Sequence, residues 1–297
     1  MLRRFMRIQY ASDLHLEHFD NVAFQSILKP VAPVLALVGD LGQPGRRAYR
    51  DLMQYCSRNW TKVFVLAGNH ELYHPVKAAD ELIAECSSIA EGFPNVHFMN
   101  RTRVDYAGVT FLGATLWTNL TGHAQEYIHD FRRIYINDPV EGKRRIVPTD
   151  VTAWHIRDRT WIREELEICQ NPKVILTHHL PLRDLIADKY KGHILNPCFA
   201  TDCTEFIRPG VRALIAGHTH SARQVNWVAS DLSLVAGCVN PHGYPGEDTG
   251  YSRECVVEIE GVEDHRDPLL VAAAIDDVED ESDFAPAPQS PASPTRN

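Results

Sequence analysis

The stretch VLALVGD, residues 34–40, decides the fold: five apolar residues run without interruption into a glycine and an aspartate. Such a run is typical of a strand that is buried on both faces of a parallel sheet. The polar residue after it then lies at the carboxyl end of the strand. Residues 173–178, KVILTH, repeat the pattern and end in a histidine. The sequence therefore predicts an α/β domain with polar side chains at its strand ends.

Five such polar blocks follow apolar runs along the chain. They read Asp13-Leu14-His15, Gly39-Asp40, Gly68-Asn69-His70-Glu71, Thr177-His178-His179 and Gly217-His218-Thr219-His220. Residues i and i+2 of an extended segment share a face, so Asp13 and His15 can bind one ion together, as can His218 and His220. Carboxylates, imidazoles and a carboxamide suit hard or borderline divalent cations. The blocks predict a metal site at the strand ends.

Asp40 has two carboxylate oxygens and is placed to bridge two cations. With Asp13 and Asp40 as the only acidic ligands, about two positive charges of a two-ion site stay uncompensated. Surplus positive charge suits a bridging hydroxide and an anionic phosphate. Two-metal sites of this kind produce hydroxide at neutral pH and stabilise both the attacking and the leaving oxygen of phosphoryl transfer.

The spacing of apolar and turn residues predicts the remaining elements. Helices are expected over 46–59 and 76–90, alternating with strands through the first hundred residues. After residue 202, short segments separated by Gly, Pro and Asn suggest antiparallel pairing. The predicted strands span 7–12, 34–38, 62–66, 96–99, 109–114, 173–177, 212–216, 224–228, 233–236 and 255–259.

Composition divides the chain into a catalytic domain over 1–265 and a disordered tail over 266–297. The tail is acidic and rich in Pro, Ser and Ala, so it cannot bury enough apolar surface to fold. An insertion at about 115–169 is long for a simple connection and is expected to form a lid or rim. Its last part carries the apolar stripe of a helix, from Trp154 to Cys169.

The charge and cysteine content narrow the classes of partner and compartment. The chain has 297 residues and a formal net charge of -9, which argues against a broad basic face for long nucleic acid. No apolar segment is long enough to span a membrane. Seven cysteines without a Cys-x-x-Cys pair and no signal peptide favour a reducing, cytoplasmic environment.

The order of the five blocks resembles that of the calcineurin-like metallophosphoesterase superfamily, over about residues 7–259. The resemblance implies an α/β fold in four layers, an αββα sandwich of two mixed sheets flanked by helices, and a dinuclear metal centre. It implies a first metal held by Asp13, His15, Asp40 and His220. It implies a second metal held by Asp40, Asn69, His178 and His218. His178 is preferred to His179 because it directly follows Thr177, and His179 is then expected to pack or to line the rim.

The resemblance also implies that His70 contacts the phosphate and acts as general acid for the leaving group. Residues next to the blocks indicate which branches of the superfamily the chain does not resemble. Ala67 and the Gly39–Gly45 segment lack the arginines of protein serine/threonine phosphatases. Gln43 stands where purple acid phosphatases carry an iron-binding tyrosine, so the expected ions are Mn²⁺, Fe²⁺ or Zn²⁺.

The chain is most similar to small bacterial-type metallophosphoesterases, with which it shares residues 111–117, Asp130-Phe131-Arg132 and the loop Asn240-Pro241-His242-Gly243-Tyr244. His242 stands where arginine is commoner in that group, and it keeps a nitrogen donor whose charge depends on pH. The candidate substrate contacts are Asn69, His70, His179 and His242.

These observations predict a metal-dependent phosphoric ester hydrolase that acts on phosphate mono- or diesters of small molecules or nucleotides. Two alternatives stay open. One is a nuclease on short nucleic acids, because repair nucleases share the same ligand set and the Lys143-Arg144-Arg145 cluster could contact a short oligonucleotide. The other is a non-catalytic scaffold, although every ligand position is filled here, whereas such relatives typically lose several.

Overall fold

Two large β-sheets form the centre of the molecule in the computed structural model, which describes residues 5–19, 22–120 and 124–260. In chain order the strands are β1 (Phe5–Ala11), β2 (Val34–Val38), β3 (Lys62–Leu66), β4 (Val96–Phe98), β5 (Thr102–Tyr106), β6 (Val109–Gly113), β7 (Tyr135–Asp138), β8 (Gly142–Arg145), β9 (Lys173–Leu176), β10 (Val211–Ala216), β11 (Arg223–Val228), β12 (Leu234–Val239) and β13 (Val256–Glu260). The helices are α1 (Phe24–Ile27), α2 (Arg47–Asn59), α3 (Ala79–Glu91), α4 (Asp130–Arg133) and α5 (Pro148–Ile168).

The strand order brings the five polar blocks to one edge of each sheet. The first sheet has the order β13-β1-β2-β3-β4, and the second has the order β11-β12-β10-β9-β6-β5. Strands β1 to β4 run parallel, as do β6, β9, β10 and β12, while β13, β5 and β11 pair antiparallel with their neighbours. Because parallel strands end on the same side, the blocks after β1, β2 and β3 lie together, and so do those after β9 and β10.

The alternation of side chains in β2 shows how sheets and helices are layered. Ala36 lies in the apolar cluster that both sheets share, together with Phe111 of β6. Leu37 points to the opposite face and packs in the same cluster as Leu52 of α2. On the outer side of the second sheet, Ile162 of α5 joins the apolar cover. The expected architecture of two mixed sheets flanked by helices is confirmed.

Sequence reasoning found every strand with an apolar run, with bounds that differ by at most three residues. It missed β5, whose residues are alternately half-buried and exposed, and the short polar hairpin of β7 and β8 within the insertion. The antiparallel pairing expected after residue 202 is wrong for β10 and β12, which run parallel. The reason is that β11, which follows β10 in the chain, lies at the edge of the sheet, and β12 inserts between the two. β12 is therefore antiparallel to β11 and parallel to β10.

The expected disordered tail lies outside the described residues. Within the part of the chain that the structure describes, no helix combines the length and apolar character needed to cross a bilayer.

Candidate metal centre

The turns after the strands hold their polar residues in left-handed backbone. Positive φ angles between 41 and 71° occur at Asp13, His15, Asp40, His218 and His220. This conformation is uncommon for residues other than glycine and is tolerated best by Asp, Asn and His. The turn after β1 is tied to the turn after β2, because the backbone N–H of Asp13 donates to Gly39 and that of His15 donates to Asp40, both at 3.0 Å. The side chains of both turns are thereby directed into one space.

Three of these side chains, Asp13, His15 and His220, form what we call the first ligand group. Their nearest donor atoms all lie within 4.8 Å of one another. His15 Nε2 lies 2.9 Å from His220 Nε2, which in turn lies 3.5 Å from Asp13 Oδ1. Burial would raise the pKa of Asp13, but the hydrogen bond and charge of His220 outweigh burial and lower it. The carboxylate is therefore ionised and available as a ligand.

A second ligand group consists of Asp40, His178 and His218, whose donor atoms also lie within 4.8 Å of one another. His178 Nε2 lies 3.4 Å from Asp40 Oδ2 and 3.2 Å from His218 Nδ1. Its other ring nitrogen, Nδ1, lies 2.9 Å from the carbonyl oxygen of Val38, to which it donates. Burial would lower the pKa of His178, and the Asp40 carboxylate overcomes burial and raises it to about 10.

Asn69 completes the second group through its side-chain oxygen, which lies 3.2 Å from His178 Nε2. Its Nδ2 donates to Asp130 Oδ1 at 2.9 Å, and the Tyr73 hydroxyl donates to the same oxygen at 2.5 Å. The carboxylate accepts from the amide nitrogen, so the amide oxygen is the atom that faces the ligands. Asp130 belongs to the Asp130-Phe131-Arg132 motif, to which the sequence analysis assigned no role, and in the structure it orients the amide of Asn69.

The two adjacent histidines have different surroundings. His179 is buried with its ring between Trp117, at 5.0 Å between centroids, and His218, at 4.3 Å. Burial, reinforced by the nearby His178, holds the pKa of His179 well below its usual value. Its ring is therefore neutral and packed, and it is His178 that faces Asp40 and Asn69.

Two glutamates that sequence reasoning missed support the first ligand group. Glu17 Oε1 lies 3.2 Å from His15 Nδ1, and Glu247 Oε2 lies 2.7 Å from His220 Nδ1. A carboxylate on the far nitrogen fixes the tautomer of a metal-binding imidazole and makes it more basic. Burial would lower the pKa of His220, but Asp13 and Glu247 raise it to about 9. Glu17 could have been noticed in the sequence, because it stands only two residues after His15.

A third glutamate, Glu71, is buried and shapes the turns of the second group. Its carboxylate accepts hydrogen bonds from the backbone N–H of Asp40 at 3.0 Å, Leu41 at 2.6 Å and Gly68 at 2.7 Å. The turns leave no room for a further side chain, since a Cβ on Gly68 would stand 2.6 Å from His178 Nε2. The glycine and the glutamate of this block are thus explained by close packing of two turns.

His70 lies beside both groups without belonging to either. Its Nδ1 lies 2.9 Å from Glu17 Oε1, while its Nε2 lies 4.0 Å from Asp40 Oδ2 and 3.2 Å from the Tyr244 hydroxyl. Burial would lower the pKa of His70, but the charges of Asp40 and Glu17 outweigh burial and raise it. The ring therefore keeps its proton to higher pH than a free imidazole does, and it presents Nε2 to the ligand groups.

A cavity of about 420 Å³ opens over these residues. Asp40, Asn69, His70, His218 and His220 line its floor. The candidate substrate contact His242 does not: it lines a separate, smaller depression, and its ring packs edge-on against Phe19 and Tyr251. His193 and Cys198, which sequence reasoning left without a role, do line the cavity.

The donor atoms fit divalent cations. Each group offers at least one carboxylate and two imidazoles with converging free atoms, and the second adds an amide oxygen, a set that suits Mn²⁺, Fe²⁺ or Zn²⁺. Asp13 and Asp40 are both fully buried, and both are charged. Two buried carboxylates this close require compensating positive charge, which bound cations would supply.

Comparison with known proteins identifies the family. A model of the calcineurin-like phosphoesterase family matches residues 6–222. The chain is 30% identical over 239 residues to the uncharacterized protein L509 of Acanthamoeba polyphaga mimivirus, covering 72% of this chain and 85% of that protein. It is similar in structure to the phosphopantetheinyl hydrolase PptH of Mycobacterium tuberculosis, with a TM-score of 0.58 and 20% identity, over 88% of this chain and 96% of that one. The chain belongs to the calcineurin-like phosphoesterase family, whose members depend on metal ions.

Proposed function

We propose that this protein is a phosphoesterase with two metal ions that hydrolyses phosphate mono- or diesters of small molecules. The observation that carries the proposal is the convergence of two ligand groups and His70, whose pKa is raised, at the floor of one cavity. Divalent ions bound there would act as Lewis acids and make a water nucleophilic at neutral pH. Asp13, His15, Asp40 and His220 would hold one ion, and Asp40, Asn69, His178 and His218 would hold the other.

Hydrolysis forms a bond from a water oxygen to phosphorus, breaks the ester P–O bond, and gives a proton to the leaving oxygen. His70 is the group that can deliver this proton. Glu17 accepts from Nδ1 and so leaves the Nε2–H directed to the cavity, and Asp40 helps to keep the ring charged. Water restores the proton that His70 gives up, so atoms and charge balance over one turnover.

The surroundings of the basic cluster support small substrates over nucleic acid. Arg144 is held by Asp138 at 2.9 Å and by Asp150 at 2.7 Å. Lys143 and Arg145 lie over the ring of Tyr135 on the β7–β8 hairpin, and neither lines the cavity. This cluster therefore does not offer the path of free cations to the metal site that a nuclease would need for the backbone of its substrate.

Turnover and metal content test the proposal together. Protein loaded separately with manganese, iron or zinc should bind two ions per chain and hydrolyse p-nitrophenyl phosphate, bis-p-nitrophenyl phosphate or both. The chelator-treated protein is the matched control and should be inactive until it is reloaded. Pure protein that binds two ions and turns over neither ester would refute the enzymatic proposal, and well under one ion per chain would favour the scaffold.

A further inference from the structure

The cavity above the ligand groups has a size and a position that suit one small organic molecule. Its volume of about 420 Å³ lies within the range of small-molecule sites. The floor consists of the residues that would hold and hydrolyse a phosphoryl group. The walls therefore face whatever is attached to the phosphorus, and their chemistry decides which substrates fit.

Two irregular segments form the walls. One is residues 127–130, which lead into α4 and include its first residue, and the other lies within 186–199, after β9. Both contribute apolar side chains, among them Ile128, Ile186, Leu195 and Phe199. At the mouth, Tyr127 is 64% exposed, and Tyr190 is 44% exposed. Large apolar side chains left in water around a cavity mark a binding surface for apolar groups.

Apart from the histidines of the floor, the charged lining has one sign. Among the described residues that line the cavity, the carboxylates are Asp40, Asp130 and Glu247, and none is a lysine or an arginine. Arg133 is close by but lies over the Tyr73 ring, 5.3 Å from its centroid, and does not line the cavity. A second anionic group of a substrate, away from the metal ions, would lose water here and meet no lysine or arginine among the described lining residues.

We propose that the natural substrate carries a single phosphoryl group and that its organic part is uncharged and largely apolar. This inference rests on the proposed phosphoesterase function. The phosphoryl group binds at the floor, and the organic part lies between Phe199 and the 127–130 segment. Nucleoside polyphosphates and oligonucleotides are excluded because their further phosphates would meet apolar walls that carry Asp130 and, among the described residues, no lysine or arginine.

Three esters with one leaving group test the charge requirement. They are p-nitrophenyl phenyl phosphate, thymidine 5'-(p-nitrophenyl phosphate) and its 3'-phosphorylated analogue, and all release p-nitrophenolate. We expect kcat/KM to fall in that order, with a loss of at least about tenfold caused by the 3'-phosphate alone. Equal values for the two thymidine esters would overturn the inference. No turnover of any ester by metal-loaded protein would instead refute the phosphoesterase function, so the two failures are distinct.

A fourth ester tests the apolar requirement. In p-nitrophenyl methyl phosphate the phenyl group is replaced by methyl, so the aromatic surface available to the walls is removed. The phenyl ester should show the higher kcat/KM, by several-fold. An equal or higher kcat/KM for the methyl ester would show that the walls do not bind the organic part.

A gain-of-function variant links the charge selectivity to the cavity. Tyr127→Arg places a cation at the mouth and is expected to raise kcat/KM for the 3'-phosphorylated ester several-fold relative to the unphosphorylated one. The matched control is Val140→Arg, which adds the same charge at a residue that is 91% exposed and lies outside the cavity. Because Tyr127 is largely exposed, the variant should keep its fold, as thermal unfolding will check. The same gain in both variants would ascribe selectivity to overall charge and overturn the inference.

Discussion

The two ligand groups differ in how their imidazoles are held. In the first group, carboxylates hold the imidazoles: Glu17 hydrogen-bonds to His15, and Glu247 hydrogen-bonds to His220. In the second group, His178 is fixed by the backbone carbonyl of Val38. A carboxylate adds negative charge and can be removed by a point mutation, whereas a backbone carbonyl cannot. The first group is therefore tuned by side chains, and the second is built into the end of strand β2.

Asp40→Asn should have the largest effect because Asp40 is the carboxylate of the second group and the proposed bridge to the first. We expect kcat on bis-p-nitrophenyl phosphate to fall by at least about 10³-fold. Asparagine tolerates the left-handed backbone at this position, so the fold should be kept. Metal analysis should show the loss of at least one ion. Activity within tenfold of the unmodified protein would contradict the assignment.

His70→Gln should leave both ions bound and still slow the reaction. The loss should be about 10²–10⁴-fold for phenyl esters, whose leaving oxygen needs a proton, and much smaller for p-nitrophenyl esters. His193→Gln is the matched control, since His193 lines the cavity but is not part of its floor. Equal losses on both leaving groups would count against the acid role of His70.

Glu17→Gln and Glu247→Gln probe the first group alone. Each should weaken one of the two ions by about 10–100-fold, as measured by competition with a chelator, and leave the other ion unchanged. Glu17→Gln should in addition reproduce part of the leaving-group dependence of His70→Gln, because Glu17 also accepts from His70 Nδ1. If both ions weakened equally, the distinction between the two groups would be wrong.

The number of protons released on metal binding is the smallest of the expected effects, and it compares the two ligand groups directly. The pKa of His178 is raised to about 10 and that of His220 to about 9, so both rings are protonated in the metal-free protein at pH 7. Each ion must displace one proton, and its affinity should fall about tenfold for each pH unit lowered below 9. Calorimetry at pH 7 in buffers of different ionisation enthalpy should count at least two protons, because a metal-bound water that ionises adds a further one. Glu247→Gln should reduce release from the first group only, and a count near zero would contradict both shifts.

Sequence reasoning reached far into this site because its signals are local. An apolar run followed by a polar residue marks the end of a buried strand, which was enough to find Asp40 and His178. Strand ends of a parallel sheet converge whatever the loops do, so the ligand candidates could be placed at one site from the sequence, and the family resemblance then implied their division between two metals. Even the preference for His178 over His179 followed from counting residues past the strand.

The supporting residues were out of reach because their roles depend on distance in space. Glu247 lies 27 residues from His220, and Asp130 lies 61 residues from Asn69, yet each makes a direct side-chain contact there. His242 illustrates the converse. It stands in the expected loop, but the loop directs its ring to Phe19 and Tyr251. The β7–β8 hairpin was missed since its strands are short and carry no apolar alternation.

The left-handed backbone of the ligand candidates sets the proposed activity against folding stability. A non-glycine residue in this region destabilises the folded state by about 1–2 kcal/mol relative to its relaxed conformation, and this cost applies to five ligand candidates. A glycine in place of His220 would relieve the strain and remove the ligand in the same step. Selection for stability alone would therefore erode this centre. Glycines at the positions of Asp13, His15, Asp40, His218 and His220 would identify descendants of this chain that keep the fold after giving up the chemistry.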